Sequence, residues 1–243
     1  MGKSVFITGT GTDVGKTALS LAVLLWARGR GLRATYHKPV QCGAFPFGNP
    51  RREGGDAEWI DAMGGNGIPA HVTYRLRMAA SPHLAAEREG MRLDPDRIRS
   101  EAESLAAGCD LLVMEGAGGA AVPLDRKGTS LAALAAGMGM PCLVACAPGL
   151  GTLHHTLSTL AYLKASHASA AGFAICHREA AVPELCADNI ATLAALTGLP
   201  FFGALPYSPA LARGEAALDD ASAASWHAPL TPSLEAWWNP PIR

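Results

Sequence analysis

The feature that most constrains this chain is a glycine-rich segment near its start, residues 9–17, which reads Gly-Thr-Gly-Thr-Asp-Val-Gly-Lys-Thr. It follows an apolar run at residues 4–8 and opens a helical pattern that continues to residue 30. This order predicts a strand, a loop and a helix, which is the context in which such a loop binds phosphate. Glycines let backbone N–H groups point at phosphate oxygens, and the helix N-terminus adds partial positive charge.

The loop differs by one residue from the strict pattern of phosphate-binding loops. That pattern has a glycine six residues before the lysine, where this chain has Thr10, and here the glycine comes one place earlier, at Gly9. We predict that Lys16 reaches the β- and γ-phosphates of a nucleotide and that the Thr17 hydroxyl ligates Mg²⁺. The alternative is an ordinary glycine-rich turn between a strand and a helix.

Apolar runs of strand length alternate with helical patterns along the rest of the chain. This alternation predicts an α/β fold of three layers, similar to that of nucleotide hydrolases, with a mostly parallel sheet and helices on both faces. No linker or repeat divides the 243 residues, so we predict one domain over residues 1–243, with an irregular C-terminal extension from about residue 208. We also predict a Gly/Pro-rich loop at residues 41–55 and irregular structure at residues 64–80.

Composition argues against several classes of function. The net charge of −1 leaves no basic surface for nucleic acid. Residues 130–153 carry no charge and match a membrane span in length, but glycines and prolines divide them into a helix, a strand and a helix start. The six cysteines form no Cys-x-x-Cys pair and no secretory signal is evident, which predicts reduced thiols in the cytoplasm. We therefore expect neither a nucleic-acid nor a membrane partner.

Charged residues follow or end the predicted strands. Lys38 ends the second strand, and Glu115 follows the buried strand at residues 111–114. Because ligands bind beyond the carboxyl ends of parallel strands, we expect both to lie near Lys16 and Thr17. Asp56 is a further oxygen ligand for Mg²⁺, or else a helix N-cap. Considered one at a time, Lys38 and Glu115 could also be solvated charged residues at the ends of strands, with no role in a site.

A second anion site is predicted where Gly149-Leu150-Gly151-Thr152 opens a helix after the strand at residues 142–147. The free N–H groups of a helix N-terminus attract anions, although an ordinary turn explains the glycines equally well. The adjacent His154 and His155 do not share a helix face, which disfavours a metal site there.

Several segments together resemble the dethiobiotin synthetase family. They occur in the order and spacing of that family up to about Pro206, and the early glycine of the loop is also typical of it. These segments are residues 9–17, Lys38-Pro39-Val40, Gly55-Asp56-Ala57, Ser81-Pro82-His83, residues 115–119 (Glu-Gly-Ala-Gly-Gly) and Leu150-Gly151.

The resemblance implies an ATP-dependent cyclo-ligase of biotin biosynthesis that uses Mg²⁺. In that family 7,8-diaminopelargonate takes up CO₂ as a carbamate. The carbamate attacks the γ-phosphate to give a carbamic–phosphoric anhydride, and the second amine closes a cyclic urea. The resemblance also implies a homodimer whose substrate site lies at the subunit interface.

The resemblance assigns roles to individual residues. It gives catalytic roles to Thr12, Lys16 and Lys38. It places Mg²⁺ on Thr17, Asp56 and Glu115. Nucleotide contacts are expected from Thr12, Asp13, Val14, Gly15, Lys16, Thr17, Glu115, Gly118, Cys176 and Pro206. Substrate contacts are expected from Thr12, Lys38, Cys42, Gly151, Thr152 and Leu153.

Two residues depart from the family pattern. Many members have Ser where this chain has Cys42, whose thiol is a weaker hydrogen-bond donor. Many have an adenine-reading Asn where this chain has Cys176, which leaves the preference for ATP open. A related amidotransferase-type synthetase would need a glutaminase domain, which is not visible. A partition-type ATPase of the ParA/MinD kind usually has a second lysine near the loop start, where Thr10 and Gly11 stand.

Overall fold

The computed structural model describes residues 2–43, 55–65, 67–177, 182–214 and 217–240. Within these residues, seven strands form one sheet in which all neighbouring strands are parallel. The strands are β1 (Lys3–Gly9), β2 (Ala34–Cys42), β3 (Ala70–Leu76), β4 (Leu111–Glu115), β5 (Cys142–Cys146), β6 (Ala170–Cys176) and β7 (Phe201–Leu205). Their order across the sheet is β3-β2-β4-β1-β5-β6-β7.

Helices cover both faces of this sheet, which confirms the predicted three-layer α/β fold. Helices α1, α2, α8, α9 and α10 pack in the core on one face, and α3 to α7 pack in the core on the other. The helices are α1 (Lys16–Gly29), α2 (Asp56–Met63), α3 (Pro82–Arg88), α4 (Pro95–Gly108), α5 (Leu131–Gly137), α6 (Thr152–Ala165), α7 (Pro183–Thr197), α8 (Pro209–Arg213), α9 (Asp220–His227) and α10 (Thr231–Trp238).

The uncharged segment at residues 130–153 folds as the sequence predicts. It forms α5, β5 and the start of α6, and every residue of β5 is buried. A central parallel strand is covered on both faces, so its sequence is continuously apolar. Across the described residues, no helix combines the length and the apolar character needed to cross a membrane.

The prediction of irregular structure at residues 64–80 is wrong, because β3 occupies residues 70–76. This strand lies at the edge of the sheet and pairs only with β2 among the described strands. An edge strand is partly exposed and mixes polar with apolar residues, so it lacks the continuous apolar run of a central strand. Of the loop predicted at residues 41–55, Gln41 and Cys42 belong to β2, and residues 44–54 lie outside the described residues.

The C-terminal extension is helical rather than irregular. Its helices α8, α9 and α10 are five to eight residues long, too short to show clear periodicity in a sequence. Packing in the core on this face of the sheet stabilises helices of this length. Trp26 Nε1 donates a hydrogen bond to Glu235 Oε1 at 3.0 Å, and the rings of Trp26 and Trp238 meet edge to face at 5.9 Å.

We expect the substitution Glu235→Ala to lower the free energy of unfolding by about 1–2 kcal/mol, because it leaves the N–H of the buried Trp26 without its acceptor. The same change also removes the ion pair with Arg30. Urea denaturation of the purified variant measures this loss. Glu103→Ala, at an exposed position on α4, is the matched control and should leave the free energy unchanged. Equal stabilities for the two variants would contradict the proposed docking of α10 on α1.

Candidate phosphate and magnesium site

The loop at residues 10–15 joins β1 to α1 in a conformation that requires glycine at its end. Gly15 is the N-cap of α1 and has φ of +93°. A Cβ atom added there would lie 2.4 Å from Cys176 Cβ, so any side chain would collide with β6. The glycine therefore lets the loop approach the sheet closely and directs the first turn of α1 toward the carboxyl ends of the strands.

Lys16 begins α1 and turns back toward the loop. Its Nζ donates a hydrogen bond to Gly11 O at 2.7 Å, and only 7% of the residue is exposed. Burial lowers the pKa of Lys16, while the charges of Glu115 and Asp56 act in the opposite direction. This ammonium group is thus held within the curve of the loop, where a bound phosphate would lie.

Lys38 joins two carboxylates beside the loop. Its Nζ lies 2.8 Å from Glu115 Oε1 and 2.6 Å from Asp56 Oδ2, and it also donates to Gly116 O at 3.1 Å. Thr17 Oγ1 lies 3.0 Å from Glu115 Oε1 and 3.2 Å from Asp56 Oδ1. Four elements, α1, β2, α2 and β4, therefore bring these side chains together at one point.

The charge state of this cluster follows from its contacts. Burial alone would lower the pKa of Lys38, but Asp56 and Glu115 outweigh it and raise that pKa above its usual value. Burial would raise the pKa of Asp56, but the ion pair and hydrogen bond with Lys38 hold it below the usual range. At neutral pH the site therefore contains an ammonium group at Lys38 and a carboxylate at Asp56.

The oxygen atoms of Thr17, Asp56 and Glu115 fit a magnesium ion. Among the described residues there is no cluster of three or more His, Cys, Asp or Glu side chains that could hold a metal by themselves. Magnesium commonly binds through one or two carboxylates and completes its shell with phosphate oxygens and water. The chemistry of the donor set is thus that of a metal ion that arrives with a nucleotide.

Lys38 and Asp56 differ in detail from what the sequence predicts. Lys38 lies within β2 instead of ending it, because the strand continues alongside β3 as far as Cys42. The last pair between β2 and β4 joins His37 to Met114, so the Lys38 side chain lies beside the end of β4, where Glu115 is found. Gly55, not Asp56, is the N-cap of α2, which leaves the Asp56 carboxylate for Lys38 and Thr17.

Sequence reasoning missed two buried residues of the site. Ser20 Oγ donates to Glu115 Oε2 at 2.8 Å, and Tyr36 OH donates to the same oxygen at 2.9 Å. The sequence distances of Ser20 from Thr17 and of Tyr36 from Lys38 could have indicated that both residues belong to the site. Ser20 follows Thr17 by three residues on a helix, and Tyr36 precedes Lys38 by two on a strand, so each pair shares a face.

The other residues predicted near the loop include exposed and half-buried side chains. Thr12 and Asp13 are exposed, and Asp13 has φ of +59°. Gly118 has φ of +68°, and a Cβ atom added there would lie 3.6 Å from Thr12 Oγ1. Val14 is half-buried, as is Cys42 at the end of β2, and burial raises the pKa of the Cys42 thiol to about 11. Cys42 is thus a neutral thiol at neutral pH.

Of two further residues predicted to contact the nucleotide, Cys176 is buried and Pro206 is exposed. Cys176 is only 2% exposed and packs behind Gly15, and burial raises the pKa of its thiol. Its side chain therefore supports the loop from within the sheet. Pro206 is exposed after β7, and its carbonyl oxygen accepts a hydrogen bond of 2.9 Å from Trp226 Nε1.

The start of α6 has the properties of an anion site. Gly151 is exposed with φ of +87° and is the N-cap of the helix, and Leu153 is half-buried. Thr152 is 3% exposed, yet its hydroxyl has no hydrogen-bond partner within the described structure. Leu150, just before this turn, is 91% exposed. A buried hydroxyl without a partner beside a helix N-terminus is suited to a ligand oxygen.

On the opposite face of β2 from Lys38, His37 is fully buried. Its Nε2 lies 2.8 Å from Thr73 Oγ1, and its Nδ1 has no hydrogen-bond partner in the described part of the chain. Burial lowers the pKa of His37 to about 4, against a smaller opposing effect of Glu101. The ring is therefore neutral at neutral pH.

We expect acid to destabilise the protein through His37. Above pH 6.5 the ring is neutral in both states, but below it the unfolded chain binds a proton that the folded chain does not bind until about pH 4. The free energy of unfolding should therefore fall by about 2 kcal/mol between pH 7 and pH 5 from this group. Urea denaturation across that range should show a flatter pH dependence for His37→Gln. His71→Gln, at an exposed position on β3, should keep the wild-type slope.

Known structures with a similar fold include cell division proteins. The cell division ATPase MinD of Pyrococcus furiosus matches with a TM-score of 0.57 and 17% identity, over 98% of this chain and all of that one. The MinD cell division protein of Aquifex aeolicus matches with a TM-score of 0.60 and 11% identity, over 100% of this chain and 99% of that one. At these identities the likeness shows the fold alone.

Sequence comparisons identify the family. A family model described as an AAA domain matches residues 3–215. The chain is 34% identical to the ATP-dependent dethiobiotin synthetase BioD of Anoxybacillus flavithermus, over 84% of this chain and 92% of the relative. It is 36% identical to the enzyme of that name from Anaeromyxobacter dehalogenans, over 91% of this chain and 98% of the relative. The chain therefore belongs to the dethiobiotin synthetase family.

Proposed function

We propose that this chain is an ATP-dependent dethiobiotin synthetase, which converts 7,8-diaminopelargonate, CO₂ and ATP into a cyclic urea, ADP and phosphate. The observation that carries the proposal is the convergence of Lys16, Lys38, Thr17, Asp56 and Glu115 beside one phosphate loop. The names of the relatives supply the use of ATP and the product, dethiobiotin, and the family resemblance implies the substrates and the course of the reaction.

The reaction needs no nucleophile from the protein. One substrate amine adds to CO₂, and the resulting carbamate oxygen attacks the γ-phosphorus and displaces ADP. The second amine then attacks the carbamoyl carbon of the mixed anhydride, and phosphate leaves as the five-membered ring closes. Positioning and electrostatic stabilisation therefore provide most of the catalysis.

The charges of the site suit this sequence of anionic intermediates. Lys16 and Lys38 contribute two positive charges, and Asp56 and Glu115 contribute two negative charges, so the four side chains together are close to neutral. When bound at Thr17, Asp56 and Glu115, magnesium would neutralise phosphate charge and orient the γ-phosphoryl group. Its double charge would make the site positive as a whole, which favours a carbamate beside a triphosphate.

In this proposal Lys16 and Lys38 hold opposite sides of the transferring phosphoryl group. Lys16 stays within the loop and contacts the β- and γ-phosphates. Lys38, which is fixed by Glu115 and Gly116 O, faces the carbamate, and Thr12 at the exposed tip contacts the diamine end of the substrate. A neighbouring ammonium group also disfavours protonation of the substrate amine, and only the neutral amine adds to CO₂.

The far carboxylate of the substrate would bind at the start of α6, where Gly151, Thr152 and Leu153 lie. The partnerless Thr152 hydroxyl supports this assignment. We place that helix on a second copy of the chain, in a homodimer, because the adjacent Leu150 is 91% exposed and a subunit interface would cover it. All six cysteines are free thiols in the structure, which supports a cytoplasmic location.

The test is product formation from defined substrates. The protein is incubated with ATP, Mg²⁺, ¹³C-bicarbonate and 7,8-diaminopelargonate, and the product is analysed by mass spectrometry. We expect a cyclic urea that carries the label, and phosphate release that requires all four components. Phosphate release that does not respond to the diamine would contradict the proposal. Turnover with glutamine or ammonia in place of bicarbonate would instead indicate an amidotransferase-type synthetase.

A further inference from the structure

Glu115 is held by hydroxyl groups that the proposed reaction does not use. Ser20 Oγ and Tyr36 OH both donate to its Oε2 atom, at 2.8 and 2.9 Å. Ser20, Tyr36 and Glu115 are each 0% exposed, so water does not compete for these hydrogen bonds. The other oxygen, Oε1, faces Thr17 and Lys38 at 3.0 and 2.8 Å.

The two oxygens of the Glu115 carboxylate have different partners, and each partner pair comes from the same two elements. Helix α1 contributes Thr17 to Oε1 and Ser20 to Oε2, and strand β2 contributes Lys38 to Oε1 and Tyr36 to Oε2. Each element thus contacts both oxygens, through residues three apart on the helix and two apart on the strand. A carboxylate held in this way cannot rotate about its terminal bond without breaking hydrogen bonds to both elements.

We propose that Ser20 and Tyr36 are positioning residues that fix the orientation of Glu115 and so determine its affinity for the magnesium of the bound nucleotide. This inference rests on the proposed function, since it assigns that metal to Thr17, Asp56 and Glu115. Both hydroxyls bond Oε2, whereas Oε1 is the oxygen that faces Thr17 and Lys38. Both act through the carboxylate, as outer partners of metal ligands do in other metal sites.

Loss of either hydroxyl removes a donor from a buried carboxylate. Tyr36 remains a donor at neutral pH, because burial and the charge of Glu115 raise the pKa of its phenol. Without Tyr36 OH or Ser20 Oγ, Oε2 has one donor fewer, and the carboxylate can turn toward Thr17 or Lys38 to replace it. The oxygen presented to the metal then changes in position, although the fold and the phosphate loop stay as they were.

The test measures metal affinity directly. Mn²⁺ is titrated into the complex of the protein with adenylyl imidodiphosphate, an ATP analogue that is not hydrolysed. The concentration of free Mn²⁺ is followed by electron paramagnetic resonance. We expect Tyr36→Phe and Ser20→Ala each to raise the dissociation constant for Mn²⁺ by about 10-fold, in the range seen for outer partners of metal ligands. The affinity for the nucleotide without metal should stay within about twofold of wild type.

Tyr74→Phe is the matched control for the tyrosine variant. Tyr74 is another buried tyrosine, on the neighbouring strand β3, and its hydroxyl accepts a hydrogen bond of 3.1 Å from Asp94 N. This variant should lose similar stability but keep the wild-type Mn²⁺ affinity. A general effect of losing a buried hydroxyl would lower the affinity in Tyr74→Phe as well, and would overturn the inference.

The outcomes separate this inference from the proposed function. Unchanged Mn²⁺ affinity in both Tyr36→Phe and Ser20→Ala would overturn the positioning role, even if the wild-type enzyme makes the cyclic urea. Reduced affinity in both, together with no cyclic urea from the wild type, would support the positioning role and contradict the function. If Tyr36→Phe does not fold, Ser20→Ala decides the question, because its hydroxyl acts on the same oxygen.

Discussion

Replacement of Lys16 by Met is expected to lower turnover by about 10³-fold with little change in stability. In the proposed reaction the ammonium group stabilises charge on the transferring phosphoryl group, and a methionine cannot replace that charge. The remaining part of the side chain is similar in shape, so it keeps its packing against Gly9, where an added Cβ would lie 3.0 Å from Lys16 Cγ. The change also removes the hydrogen bond from Lys16 Nζ to Gly11 O.

Rapid measurement of cyclic urea formation, with all substrates saturating, checks this expectation. The affinity for nucleotide, measured separately by calorimetry, should fall much less than turnover, because backbone N–H groups of the loop still bind the phosphates. Lys127→Met, at an exposed lysine in the turn between Leu124 and Thr129, is the control and should turn over as wild type does. If Lys16→Met kept more than about a tenth of wild-type turnover, electrostatic stabilisation by Lys16 would be a minor part of catalysis.

The sequence alone predicted those parts of the fold that are determined by residues close together in the sequence. The order of strand, loop and helix around Lys16 is local, and the burial of β4 and β5 on both faces gives an apolar run that is easy to recognise. By contrast, β3 has a polar, half-exposed edge, and α8 to α10 are short helices stabilised by packing in the core that they share with α1 and α2. Their stability comes from contacts across the chain, which no local pattern records.

The difference between local patterns and contacts across the chain also explains which parts of the site the sequence predicted. Lys38 and Glu115 could be placed near Lys16 because the carboxyl ends of parallel strands meet at one edge of a sheet. Their direct contact depends on the order of the strands, in which β4 lies between β1 and β2. The roles of Ser20 and Tyr36 depend on that order as well, since both reach Glu115 from different elements.

Replacement of Lys38 by Met is expected to affect both stability and catalysis. Lys38 is 3% exposed and lies between two carboxylates, of which Glu115 is fully buried. Without the ammonium group this buried charge loses its ion pair with Lys38, which should lower the free energy of unfolding by about 3–5 kcal/mol. Turnover should fall as well, because in the proposed reaction Lys38 faces the carbamate, whereas nucleotide affinity should fall less.

Magnesium should restore part of the lost stability in Lys38→Met. The ion would place positive charge between the same carboxylates, Asp56 and Glu115, so the unfolding temperature should rise more with Mg²⁺ and nucleotide in the variant than in wild type. Differential scanning fluorimetry at increasing Mg²⁺ concentrations measures this difference. An equal rise in both proteins would show that the metal and Lys38 do not share the carboxylates.

The double variant Lys38→Met/Glu115→Gln separates the two roles of Lys38. It removes one positive and one negative charge together, so the buried charge that destabilises the single variant is absent. We expect the double variant to recover most of the lost free energy of unfolding, as replaced buried ion pairs often do. Turnover should stay low, since both the cation near the carbamate and a magnesium ligand are missing. Recovered turnover in the double variant would mean that Lys38 only balances Glu115 and has no contact with the reacting groups.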